Sequence, residues 1–116
     1  MPSSQLLEYA VTYFKRGAVV YAWGYEMDDK KMQSAGLACA KLWIVVIDDR
    51  DEGRTSLIPL LEDPDLNIRV FAAGFLTKVM PERVVPILTE LVERGPAFIN
   101  VTAHWFVERY KHGTDL

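Results

Sequence analysis

Apolar residues recur every three to four positions along nearly the whole chain. Between residues 65 and 80 they fall at Ile68, Phe71, Ala72, Phe75, Leu76 and Val79. Between 96 and 111 the same phase returns at Ile99, Thr102, Ala103, Phe106, Val107 and Tyr110. Such spacing places the apolar residues on one side of a helix, and no run of alternating residues competes with it as a strand. In the first half, Leu6, Ala10, Tyr13, Phe14, Gly17, Val20, Tyr21 and Gly24 keep one helical phase. This predicts one helix over about 4–25 that tolerates Gly17, or a shorter helix that Gly17 ends. A second helix is expected to begin at Asp28-Asp29 and run to about Ile47. Its apolar residues go almost all the way round, the pattern of a helix buried on two sides in the middle of a stack.

The chain also repeats itself. A shift of 31 residues lays Ile68, Val70, Ala72 and Phe75 onto Ile99, Val101, Ala103 and Phe106. A shift of 27 lays Leu57-Ile58-Pro59-Leu60-Leu61 onto Val84-Val85-Pro86-Ile87-Leu88. The two offsets differ by about one helical turn, which predicts an insertion between the paired helices of the second copy. Each copy reads as a helical hairpin: approximately 54–62 with 65–80, then 81–93 with 96–111. Asp65 is suited to cap the second helix of the first hairpin, and Pro64 to stop the helix before it. Pro81-Glu82 suits a helix start, and Gly95-Pro96 an end followed by a new start.

The segment Leu60-Leu61-Glu62-Asp63-Pro64-Asp65, followed by Ile68-Arg69 and Ala72-Ala73, resembles the HEAT repeat, in particular its short phycobilisome-lyase-type form. The second copy matches in its apolar skeleton and the first 50 residues match as helices. The overall plan is similar to a family of small uncharacterised bacterial stand-alone proteins. The resemblance implies an all-α, HEAT/armadillo-like right-handed α-α superhelix of about six helices in three antiparallel pairs, within one domain, residues 1–116, made of hairpin units at about 3–47, 54–80 and 81–111. In such repeats an Asp before the second helix and an Arg within it form a ladder of polar contacts between units. Asp63 and Arg69 stand at those places, while Asn100 lies opposite Arg69 in the second copy. That departure implies an end cap.

Composition changes the picture only by exclusion. With 116 residues, half of them hydrophobic and a quarter charged, the chain matches an ordinary globular domain. A net charge of -3 speaks against a duplex nucleic-acid binder, which needs a clustered basic surface. The longest uncharged apolar stretches, 17–25 and 42–47, are far below the roughly 20 residues needed to span a bilayer, and Met1-Pro2-Ser3-Ser4-Gln5 lacks the features of a secretory signal. The single Cys39 is expected as a buried, reduced thiol in a cytoplasmic protein.

No complete catalytic, metal or phosphate motif is present, so no cofactor is expected. His104, Glu108 and His112 share one helical face at i, i+4 spacing, the basis of an alternative reading as an enzyme or a small-ligand or metal binder, with Asp49 a further candidate. The acids of 48–52 are interrupted by Arg50 and followed by Arg54, and read as a solvated connector. The leading expectation is a non-enzymatic module, an adaptor or small inhibitor-like scaffold, whose partner is another protein and neither a nucleic acid nor a membrane. Its surface is expected on the second helices of the hairpins, around Val70, Lys78, Val101, Trp105 and Arg109, with Asp63, Asp65 and Arg69 in structural roles. Trp105 has two readings. It is an exposed anchor for the partner, or it fills the space left by Gly74 on the neighbouring helix or covers the open end of the stack; a lone Trp usually buries most of its surface, which favours the latter.

Overall fold

In the computed structural model residues 3–113 are described, and among them every regular element is helical. Helix α1 spans Ser3–Glu26 and α2 Lys30–Asp48. A 3-10 helix follows at Gly53–Glu62, then α3 at Leu66–Leu76, α4 at Pro81–Arg94 and α5 at Ala97–Lys111. None of these is long and apolar enough to cross a membrane. The chain divides into two compact units, Met1–Ser56 and Leu57–Leu116.

In the first unit α1 runs unbroken through Gly17, and α1 and α2 form an antiparallel hairpin. Contacts descend in order, from Gly24 with Gln33, through Gly36 with Tyr21 and Gly17 with Ala40, to Tyr13 with Trp43. The turn is built by two aspartates. Asp28 adopts φ 52°, and Asp29 caps α2 by accepting from the Met32 amide at 3.1 Å. Asp28 and Asp29 therefore precede the helix rather than begin it. Small residues govern the packing: Ala10, Ala18, Ala22 and Ala40 are buried around Phe14, Ile44 and Ile47. A Cβ on Gly36 would stand 2.3 Å from the Tyr21 amide nitrogen, so the two backbones approach where only glycine fits. Gly17, across from it, is thus a contact residue more than a tolerated defect.

Two expectations for this unit change. Helix α2 is not buried on two sides, because Leu42 and Val45 are exposed. The four acids of the connector, Asp48, Asp49, Asp51 and Glu52, are exposed as expected, and the first of them is also anchored. Arg54 has a side chain only 4% exposed and holds Asp48 through two bonds, Nε to Oδ1 at 2.9 Å and a terminal nitrogen to Oδ2 at 3.1 Å. A planar guanidinium meeting both carboxylate oxygens is the strong form of this pair. Cys39 is half-buried rather than buried, with its sulfur 3.6 Å from the Tyr13 carbonyl oxygen.

The helix buried on all sides is α3 in the second unit. From Ile68 to Leu76 every residue except Arg69 is buried. Helix α3 packs on both α4 and α5, and α4 packs on α5. Phe71, Phe75 and Phe106 meet edge to face or tilted, with centroids 5.6 to 6.2 Å apart, an arrangement aromatic quadrupoles favour. The Asp63-Pro64-Asp65 turn behaves as read. The Asp63 carboxylate accepts the Asp65 amide at 2.9 Å, and Asp65 caps α3 by accepting the Asn67 amide at 2.9 Å.

The stretch before that turn winds as a 3-10 helix. Pro59 has no N–H to donate four residues back, and the Thr55 and Ser56 hydroxyls hold the carbonyls of Glu52 and Gly53 three residues back. Pro86 occupies the matching place in α4, but Glu82 and Arg83 replace the two hydroxyl residues there, and α4 stays α-helical. The predicted one-turn insertion appears as helix length: α4 has 14 residues where the 3-10 helix has 10.

Candidate interaction surface

Helix α5 turns Ile99, Thr102, Ala103, Phe106 and Val107 inward, which leaves a line at i, i+4, i+8 on its other side: Val101, Trp105 and Arg109. Val101 is exposed, while Trp105 and Arg109 are half-buried. The Arg109 guanidinium lies over the Trp105 ring, 4.8 Å from its centroid, and the indole meets Phe106 edge to face with ring centroids 5.0 Å apart. A cation stacked on a tryptophan fixes both side chains and leaves an amphipathic, pre-ordered surface. Lys78 is exposed in the turn that follows α3.

Val70 does not belong to this surface. It is 1% exposed, because α3 is enclosed all round and has no free side opposite its expected core stripe. The space above Gly74 is likewise not filled by Trp105. A Cβ at residue 74 would lie 2.3 Å from the Phe106 ring, so the neighbouring residue occupies it and Trp105 points elsewhere.

Arg69 donates its Nε to the carbonyl oxygen of Asp63, which ties α3 to the backbone of the turn that precedes it. His104 is exposed, Glu108 half-buried and His112 exposed. Glu108 is 3.6 Å from His112 Nε2 and 3.7 Å from Lys111 Nζ. His104, Glu108 and Lys111 also edge a groove of about 240 Å³ against Thr89 and Glu93 of α4. Among the described residues no group of three or more His, Cys, Asp or Glu side chains is placed to hold a metal ion. Asp49 is exposed and bonded to Arg50 at 2.8 Å.

A second surface, on α1 and at Met27 just past its end, escapes the core-stripe reading of the sequence. Tyr9, Tyr13, Trp23 and Met27 are 44%, 37%, 49% and 65% exposed, and Arg16 and Val20 complete a series spaced 4, 3, 4, 3, 4. That spacing is the signal by which a seam is found. Tyr13 and Val20 keep the apolar phase of the helix with Phe14 and Gly17, yet Tyr13 stays exposed, its ring stacked on Trp43 with centroids 5.0 Å apart and the Arg16 guanidinium 4.8 Å from its centroid.

No family model matches the chain, and neither the curated proteins nor the solved structures contain a significant match to it.

Proposed function

We propose that the chain is a non-enzymatic protein-interaction module of the cytoplasm, a HEAT-like scaffold of helical hairpins whose partner is another protein. The observation that carries this reading is the Trp105–Arg109 stack beside exposed Val101 on α5. Tryptophan and arginine are the side chains most enriched at binding hot spots, and a pair already ordered loses little entropy when a partner covers it. Support for the HEAT-like part comes from the Asp63-Pro64-Asp65 turn, its tie to Arg69, and the matched Pro59 and Pro86 in successive first helices. The superhelical stacking of the hairpins is part of the proposal.

The test is affinity capture with the tagged full chain, compared with Trp105→Ala and Arg109→Ala. The reading expects a protein partner retained by the parent chain and lost from both variants while their helical content is unchanged. Partners retained equally by all three would remove the α5 surface. A second reading, a small-ligand site, rests on the groove edged by His104, Glu108 and Lys111. Stoichiometric metal or an organic ligand co-purifying with the chain and lost on His104→Ala would favour it.

A further inference from the structure

The seam on α1 is long, apolar except for Arg16, and exposed at every position except Val20. It extends about 27 Å from Tyr9 to Met27 at 1.5 Å per residue. The Met27 amide still donates to the Trp23 carbonyl at 2.9 Å, so helical phase persists to the end of the seam. Residues 10, 17 and 24 beside it are buried, Gly17 and Gly24 against α2, so the seam runs along the flank of α1, where Tyr13 also stacks on Trp43 of α2.

We propose that this seam pairs with the same seam of a second copy of the chain, α1 against α1 and antiparallel, about a two-fold axis level with Ala18. The argument is one of register. Reversing one copy places Tyr9 opposite Met27, Tyr13 opposite Trp23, and Arg16 opposite Val20. Each pair occurs twice, as a two-fold interface requires. The only charge in the seam then faces an aliphatic residue, and its guanidinium remains over the Tyr13 ring. A parallel pairing would instead set Arg16 against Arg16 of the second copy, two like charges in an apolar contact.

The area lies near the lower limit for a specific interface. At about 200 Å² of full surface for side chains of this size, the exposed fractions of Tyr9, Tyr13, Trp23 and Met27 leave roughly 400 Å² on each copy. Complete cover of these four positions on two copies contributes about 800 Å², and reaching the roughly 1,200 Å² at which specific interfaces begin requires exposed Arg16, half-buried Val20 and the flanking residues to supply the remainder. This surface is independent of the one on α5.

Sedimentation velocity of the full chain over a wide concentration series is the first measurement, with a reversible monomer–dimer equilibrium expected. Trp23→Glu puts a carboxylate in the interface twice. At about 30-fold for each hot-spot contact, the dissociation constant should rise about 1,000-fold while far-ultraviolet circular dichroism is unchanged. A parent chain that stays monomeric throughout, or a dimer that survives this change in a folded variant, overturns the proposal. Orientation is read separately in a Cys39→Ala background, and does not depend on Trp23→Glu folding. Tyr9→Cys mixed with Met27→Cys should give a covalent dimer on mild oxidation, and each alone should not. Crosslinking of either single variant with itself, or none in the mixture, refutes the antiparallel register.

Discussion

Replacing Gly36 with alanine is the sharpest test of how α1 and α2 pack. Two effects oppose each other. In the interior of a helix, alanine is favoured over glycine by about 1 kcal/mol, so propensity alone predicts a gain. The new methyl would stand 2.3 Å from the Tyr21 nitrogen, 2.6 Å from the Gly17 carbonyl oxygen and 2.8 Å from the Tyr21 Cα. All three are backbone atoms of α1, so no side chain can rotate aside. Ordinary contact begins near 3.4 Å, and the helices must separate by about 1 Å along a core built from small residues. Overpacking of this kind costs about 1–3 kcal/mol, and the upper end applies because the obstacle is backbone. The net is a loss of about 2 kcal/mol. For a chain of this length that lowers the melting temperature by about 8 °C. Thermal and urea unfolding followed by circular dichroism would measure it. Ser34→Ala, exposed on the same helix, supplies the control and should stay within about 0.5 kcal/mol of the parent. If Gly36→Ala matched or exceeded the parent in stability, the close approach of the two backbones would be wrong.

Phe106→Ala should cost about 3–5 kcal/mol, since it empties the space above Gly74 and strips both Phe71 and Phe75 of a ring contact, whereas Trp105→Ala should cost no more than about 1–2 kcal/mol; equal losses in denaturant titrations would contradict the assignment of Phe106 to that space. Asp29→Ala and Asp65→Ala each remove a helix cap and should destabilise by about 1 kcal/mol, with asparagine at either position restoring most of it. Arg54→Lys keeps the charge but not the two-pronged contact with Asp48. A loss of about 1–2 kcal/mol is expected, and a silent substitution would mean that the second bond is not made in solution.

The elements themselves were legible because their causes are local. Apolar period, Asp65 and the Asp28-Asp29 pair at helix starts, Pro81 at a first position and Gly95-Pro96 between helices act within a few residues of where they stand, and α1 through α5 follow from them. Winding is less legible: Pro59 and Pro86 look alike in sequence, yet the stretch around Pro59, where the Thr55 and Ser56 hydroxyls bond carbonyls three residues back, is a 3-10 helix and that around Pro86 is an α-helix. On the candidate surface, Val101, Trp105 and Arg109 were found because they lie opposite a clear core stripe on α5. Val70 was misplaced by the same logic, since a stripe gives the phase of a helix and says nothing of how many neighbours surround it.

The helical class, most helix boundaries and the inward side of α5 are thus consequences of 3.6 residues per turn and of capping chemistry, and could be read from the chain alone. The tertiary structure alone decided which side chain meets which. Phe106 rather than Trp105 fills the space at Gly74, because a one-residue difference on a helix is a 100° rotation that a repeat alignment does not resolve. It decided that Gly17 and Gly36 form a contact, because their partners are about 20 residues away and glycine carries no hydrophobic signal. It also decided that Tyr9, Tyr13, Trp23 and Met27 stay open, because an apolar residue is buried only where another element arrives to cover it.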